Sequence, residues 1–263
     1  MTVVKRAVIA VEGAEAAERH DHLAEEGPLE IRMSATPLAV LMRTPGADAD
    51  LARGFALTEG IVLSPDEIAS VEPVGDGDRV ELRLAPGVVV DPERFRRSAY
   101  VSSSCGVCGK ASIDAVRVAG RKPPPGPRLD PSMPPRWIDA LEGSQPGFAR
   151  SGGLHAAAVC LPDGTVLAAA EDVGRHNAVD KAIGALSTRR WPFGEVVLAV
   201  SGRISFEITQ KAAVFGIPVV AGVSAASSLA AELGDELGLT VIGFNRGNRF
   251  VVYSGADRLT GLG

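Results

Sequence analysis

Cys105 and Cys108 are the residues of this chain whose types and spacing point most directly to chemistry. They are two of its three cysteines, and they stand in Ser102-Ser-Ser-Cys-Gly-Val-Cys-Gly-Lys110, a stretch built largely from serine and glycine. Small residues leave thiols unburied, and glycine lets the backbone turn tightly around them. Such a pair points to sulfur chemistry or to a metal, not to packing. Three readings are open. A zinc knuckle needs two further ligands beyond one Cys-x-x-Cys. The chain has no second such motif, and Cys160, His155 and His176 would have to be recruited, although Cys160 lies in the apolar run Ala156–Leu161. A thioredoxin-like redox pair belongs at a strand-to-helix junction of a βαβ unit, whereas this one follows Tyr100 and precedes a weakly helical stretch. A sulfur carrier needs an accessible thiolate. A nearby cation lowers a thiol from its usual ~8.5, and Lys110 is near enough in sequence to act so, or simply to be a solvated loop lysine.

A second set of chemical groups is arginines in polar loops. Glu171-Asp-Val-Gly-Arg175-His176-Asn177, Ser201-Gly-Arg203-Ile-Ser205, Ser224-Ala-Ala-Ser-Ser228 and the run Phe244, Asn245, Arg246, Gly247, Asn248, Arg249 each follow an apolar strand-like segment. In an open α/β sheet, ligands bind outside the carboxyl ends of the strands. Three of these loops run into helix N-termini, whose free N–H groups and dipole favour anions. Arg175, Arg203, Arg246 and Arg249 present planar forks suited to phosphate or carboxylate. Any one of them alone is ordinarily a solvated residue or an ion-pair partner, and Glu171 or Asp172 could neutralise Arg175. The set at one edge suggests a phosphorylated or nucleotide-like ligand. His155 and His176 open a strand and a helix, and each reads equally as a structural hydrogen-bonding group or as a polar group beside the ligand. No P-loop and no Gly-x-Gly-x-x-Gly is present, so neither a P-loop ATPase nor a Rossmann dehydrogenase is indicated.

The elements that must position these groups follow from periodicity. Leu29–Met33, Leu38–Arg43, Val71–Val74 and Arg79–Leu84 read as strands. Asp48 is placed to cap a helix running to Glu59, with Gly60 as its stop. Residues 1–120 thus form a small α+β domain ending in the cysteine loop. The prolines of 121–135 forbid regular structure and read as a linker. Residues 136–263 alternate: a hairpin of 155–161 and 166–171, a helix over 176–186, then strand 195–200, helix 206–215, strand 218–223, helix 227–237, and strands 240–244 and 250–253. Helix-sized crossovers between short apolar strands imply parallel pairing. The fold class is α/β, a mixed sheet with helices on both faces.

Composition bounds the function. With 263 residues, 46% hydrophobic and 22% charged, the chain is an ordinary globular sequence with room for a sizeable core. A net charge of −5 argues against nucleic acid as a bulk electrostatic partner. No apolar run approaches the ~18 residues that span a membrane, and the N-terminal apolar run is too short for a signal peptide. The expected location is the cytoplasm, where a Cys-x-x-Cys stays reduced.

These residues together resemble the FdhD family, the accessory sulfurtransferases of formate dehydrogenase. The resemblance is carried by Pro28–Arg32, Met42-Arg-Thr-Pro-Gly46, Gly54-Phe55 with Glu59-Gly60, Ser103–Gly109, Gly152–His155, Glu171–Asn177 with Asp180-Lys181, Ser201–Arg203, Ser227-Ser228, and Gly243-Phe244 with Arg246-Gly247. It implies that Cys105 accepts sulfur as a persulfide from a cysteine desulfurase, with Cys108 assisting. The sulfur then passes to the molybdenum or tungsten bis-pterin guanine dinucleotide cofactor before its insertion into formate dehydrogenase. The family's guanine-dinucleotide segment falls on Phe244–Arg249. The resemblance also implies a cytidine deaminase-like larger domain and a homodimer. The deaminase zinc signature is absent here, so zinc and deamination are not carried over and no resident metal is expected. An escort chaperone that binds the cofactor without a persulfide is the alternative. A zinc hydrolase on a deaminase-like fold is a third class, separable by elemental analysis.

Overall fold

The computed structural model describes residues 2–91, 123–189 and 193–261. Cys105 and Cys108, with the loop that carries them, lie outside the described residues. None of the described helices is long and apolar enough to cross a membrane.

Strands β3 (Gly27–Met33), β4 (Thr36–Arg43), β5 (Ile68–Val74) and β6 (Arg79–Leu84) form a four-stranded sheet in the order β4-β3-β6-β5. Along β3, Leu29, Ile31 and Met33 are buried at alternate positions, which gives the sheet one core face. Helix α1 (Asp48–Thr58) follows β4. Asp48 does not cap it as expected. Its carboxylate turns back to the buried Arg43, with Oδ1 accepting from Nε at 2.9 Å and Oδ2 from Nη2 at 3.0 Å. A fixed guanidinium in reach outcompetes backbone N–H groups for that carboxylate. The turn into α1 is made instead by Ala47 at φ 55°.

The six-stranded sheet contains β7 (His155–Cys160), β8 (Val166–Asp172), β9 (Val197–Val200), β10 (Val219–Gly222), β11 (Thr240–Arg246) and β12 (Arg249–Ser254), in the order β12-β11-β10-β9-β7-β8. Strands β9, β10 and β11 are parallel, and β7 and β12 run against their neighbours, so the expected mixed sheet is present. Helices α2 (Met133–Glu142), α3 (Pro146–Ser151), α4 (Arg175–Ser187), α5 (Phe206–Val214) and α6 (Ser228–Leu237) complete this half. Period-2 alternation divides the sheet's side chains between two layers. Ala157, Val159, Leu198, Val220 and Val241 share one cluster with Val179 and Ile183 of α4 and Ile208 of α5. Ala158, Cys160, Val197, Ala199, Ala221 and Ile242 lie in the other, beneath Trp137, Ile138 and Leu141 of α2. Cys160 is fully buried, and burial first, then Asp163, push its thiol up to about 12, so it is a packing residue.

The proline segment is more ordered than its composition suggests. Leu129 is fully buried and exchanges backbone hydrogen bonds with the C-terminal stretch, donating to Arg258 and accepting from Thr260. Pro134 and Pro135 lie in the first turn of α2, where a missing N–H breaks no helical bond. The N-terminal hairpin β1 (Val3–Glu12) and β2 (Glu15–Ala24) was not expected from periodicity, because its strands are exposed on both faces and show no buried alternation.

The two sheets share one hydrophobic cluster, in which Leu29, Leu51 and Phe55 meet Val179 and Ile183. Helices α1 and α4 cross at glycines. A Cβ built on Gly54 would lie 1.8 Å from the Asp180 carbonyl oxygen, and one on Gly184 would lie 1.9 Å from that of Asp50.

Candidate functional site

The four polar loops do emerge at one edge. Strand β8 runs parallel to β9, β10 and β11 because two antiparallel steps, β8 to β7 and β7 to β9, separate them. The loops are stitched together by backbone hydrogen bonds. Ile204 N donates to Ala225 O and Ser227 N to Ile204 O, both at 3.0 Å, and Phe244 N donates to Ser224 O at 3.0 Å. Ser201 Oγ accepts from Ala156 N at 2.9 Å, tying the β9 loop to the start of β7. Ser205 and Ser227 cap α5 and α6 by accepting from Ile208 N and Ala230 N.

At the β7–β8 end of this edge, His155, Arg175 and Gly202 come together. The space a Gly202 Cβ would fill is bounded by His155 Nδ1 at 3.5 Å and Arg175 Cδ at 3.6 Å. Burial, then the charges of Arg175 and His176, hold the His155 imidazole below its ordinary 6.5, while Asp172 pulls the other way. Below pH 6.5 the unfolded chain therefore takes up this proton before the folded one does, and stability falls as pH falls. His155→Asn is expected to flatten the acid side of a thermal-midpoint profile. An unchanged slope would contradict the assignment. Next to it, His176 Nε2 lies 2.7 Å from Glu207 Oε2 and 3.3 Å from Ser205 Oγ. This buried pair joins the first turns of α4 and α5.

At the other end, Phe244 sits at φ 48°, an uncommon conformation for an aromatic residue, and the residue is 44% exposed. The ladder between β11 and β12 is irregular between Gly243 and Arg246. Arg246 and Arg249 face each other across the hairpin and are exposed, with exposed Gly247 and Asn248 between them. Like charges directly opposite one another repel, and a bound anion would relieve them. Asn245 points elsewhere: it is fully buried, and its Nδ2 donates to Pro134 O at 2.6 Å. It therefore holds α2 against the sheet.

The arginines consequently do not meet at one point. The Arg175 side chain lies beside Gly202 in the loop after β9, and β9 and β11 are two inter-strand spacings apart, so the Arg175 and Arg246 strand ends are separated by roughly 10 Å along the edge at ~4.8 Å per strand. Arg203, exposed in the same β9 loop, is the next residue after Gly202. An elongated ligand with several charged groups matches such a row.

Much of the motif Glu171–Lys181 has a different task. Asp172, fully buried, accepts from Gly174 N and Asn177 Nδ2 through Oδ1, and from Thr44 N and Lys181 Nζ through Oδ2. Lys181 Nζ also donates to Thr44 O at 2.7 Å, and Asn177 Nδ2 to Met42 O at 2.8 Å. The motifs Met42–Gly46 and Glu171–Lys181 are thus two halves of one clamp between the sheets. Glu171 accepts from the N–H groups of Gly147 and Phe148 at the start of α3. Deeper in, Lys211 Nζ donates to Asp180, Glu59 and Thr58 at 2.8–3.0 Å. Burial pulls its pKa down, but the Asp180 and Glu59 carboxylates outweigh that and hold it above the ordinary lysine range. Sequence reasoning assigned these ions no role. The available signal was charge inside helical faces that otherwise read as apolar. Among the described residues, no three His, Cys, Asp or Glu side chains are grouped as metal ligands.

Comparison with known proteins agrees with this architecture. The model of the FdhD/NarQ family matches residues 24–260. The chain belongs to the FdhD/NarQ family. Its relatives include the sulfur carrier protein FdhD of Streptomyces coelicolor, 46% identical over 267 residues, with 97% of this chain and 95% of that protein covered. The sulfur carrier protein FdhD of Mycobacterium tuberculosis is 48% identical over 263 residues, covering 92% and 93%. A crystal structure of a Desulfotalea psychrophila protein, provisionally assigned as a formate dehydrogenase accessory protein, superposes with a TM-score of 0.80 at 21% identity. It covers 98% of this chain and all of that one. At that identity the likeness establishes the fold, and the two FdhD/NarQ relatives establish the family.

Proposed function

We propose that this FdhD/NarQ family member is a sulfur carrier that serves formate dehydrogenase. The observation that carries the reading is the family relationship over nearly the whole chain to proteins named sulfur carriers, in a sequence that contains the Cys105-x-x-Cys108 pair. In this reading the Cys105 thiolate attacks the terminal sulfur of a cysteine desulfurase persulfide. The donor cysteine leaves as thiolate, and Cys105 holds the sulfur as a persulfide. Cys108 assists the onward transfer of that sulfur to the molybdenum or tungsten bis-pterin guanine dinucleotide cofactor, which is the acceptor substrate. The protein works in the cytoplasm as a homodimer, ahead of cofactor insertion into formate dehydrogenase.

The strand-end edge supplies the acceptor half of this reading. Its row of Arg175, Arg203, Arg246 and Arg249 suits a long, multiply charged dinucleotide, and the ring of the exposed Phe244 offers a stacking face for a base. Calorimetry with guanosine diphosphate tests it. Arg246→Ala is expected to weaken binding about tenfold, the loss of one charge-assisted hydrogen bond at ~1.4 kcal/mol. Unchanged affinity would remove the β11–β12 turn from the site.

A further inference from the structure

The N-terminal hairpin poses a problem of stability. Strands β1 and β2 pair over ten residues, from Val3↔Ala24 to Glu12↔Glu15, yet among the described residues they form a sheet of only two strands. A two-stranded ribbon is marginal in water without further strands or a packed face. Among the described residues it rests on α3 near its base, and beyond that it is exposed: Ile9 is 66% and Val11 68% accessible. The two outer edges differ. The β2 edge reads Glu15-Ala-Ala-Glu-Arg-His-Asp-His22, dense in the charges that protect an edge strand. The β1 edge carries the uninterrupted run Ala7-Val-Ile-Ala-Val11, bracketed by Arg6 and Glu12.

We infer that the β1 edge is a homotypic docking surface, on which β1 of a second copy of this chain pairs antiparallel about a two-fold axis at Ile9. With the axis perpendicular to the sheet, paired residues must sum to an even number, so that equivalent faces stay on the same side. The register that places Ile9 opposite Ile9 brings Ala7 beside the partner's Val11 and Val8 beside the partner's Ala10. It also sets Arg6 against the partner's Glu12, twice by symmetry. The neighbouring even registers, centred on Val8 or Ala10, lose that charge match. The match resolves a local conflict as well. Glu12 and Glu15 stand directly opposite each other within the hairpin, and Arg6 opposite Asp21. Joining the edges produces the row Glu15, Glu12, then the partner's Arg6 and the partner's Asp21, so the two adjacent carboxylates gain a cation. The result is one four-stranded sheet in place of two marginal ribbons.

This gives the homodimer proposed above its contact surface, and it stands apart from the sulfur chemistry. Sedimentation velocity on the full chain tests it, with Ile9→Lys, Arg6→Glu, and the exchange Arg6→Glu/Glu12→Arg. The wild type is expected to be a dimer. Ile9→Lys should raise the dissociation constant at least tenfold with an unchanged circular dichroism spectrum, because the side chain is exposed in one copy. Arg6→Glu should weaken the dimer and the exchange should restore it. A wild type that stays monomeric overturns both this surface and the homodimer. A dimer indifferent to Ile9→Lys overturns only the surface, and an exchange no tighter than Arg6→Glu overturns the register.

Discussion

Cells in which Cys105→Ala replaces the wild-type protein are expected to make formate dehydrogenase with no more activity than cells lacking the protein altogether. The reasoning is chemical. A carrier step needs a thiolate that can form and then release a sulfur–sulfur bond, and a methyl side chain can do neither. The cysteine among the described residues cannot substitute: Cys160 is fully buried and its thiol is held at about 12. The variant should fold, since Cys105 stands among serines and glycines and not in an apolar run. Full activity from Cys105→Ala would end the persulfide role, whatever the protein binds.

The second large effect falls on the fold. Gly54→Ala is expected to lower stability by about 3 kcal/mol or more, at or beyond the upper end of overpacking substitutions. The new methyl would lie 1.8 Å from the Asp180 carbonyl oxygen and 2.5 Å from its carbon. Both are backbone atoms, so no rotamer change relieves the overlap and α1 must move off α4. That movement also pulls at Thr58 and Glu59, which meet the Asp180–Lys211 pair at the end of α1. Against a total stability of ~5–15 kcal/mol the change is severe. Gly143→Ala is the control. There the nearest atom to an added Cβ is 3.5 Å away, and the expected change is within about 0.5 kcal/mol. Equal urea midpoints for Gly54→Ala and wild type would show that the helix crossing is looser than described.

The strands and helices of the six-stranded half were legible because buried elements announce themselves by apolar period. Val197–Val200 and Val219–Gly222 are buried at every position, and their helical crossovers leave little choice but parallel pairing. The shared edge of the four polar loops followed from that. What could not be read was the partner of each polar residue. Asp172, Asn177 and Lys181 stand in a loop and helix start that look like a ligand site, yet they spend their hydrogen bonds on Met42 and Thr44, more than 120 residues earlier in the chain. Asn245 sits inside a motif whose neighbours are exposed, and strand alternation alone turns it inward to Pro134. The hairpin β1–β2 stayed hidden because a strand exposed on both faces has no hydrophobic period to detect. Proline density misled at Pro134 and Pro135, two first-turn positions that tolerate what a helix interior would not.

The central claim is that Cys105 carries sulfur. Its most direct test is intact-protein mass spectrometry after incubation with a cysteine desulfurase and cysteine, on wild type, Cys105→Ala and Cys108→Ala. The account predicts a gain of one sulfur atom on the wild type, reversed by a thiol reductant and missing from Cys105→Ala. No gain on any of the three, with guanosine diphosphate binding intact, would contradict it and leave a protein that escorts the cofactor without sulfurating it.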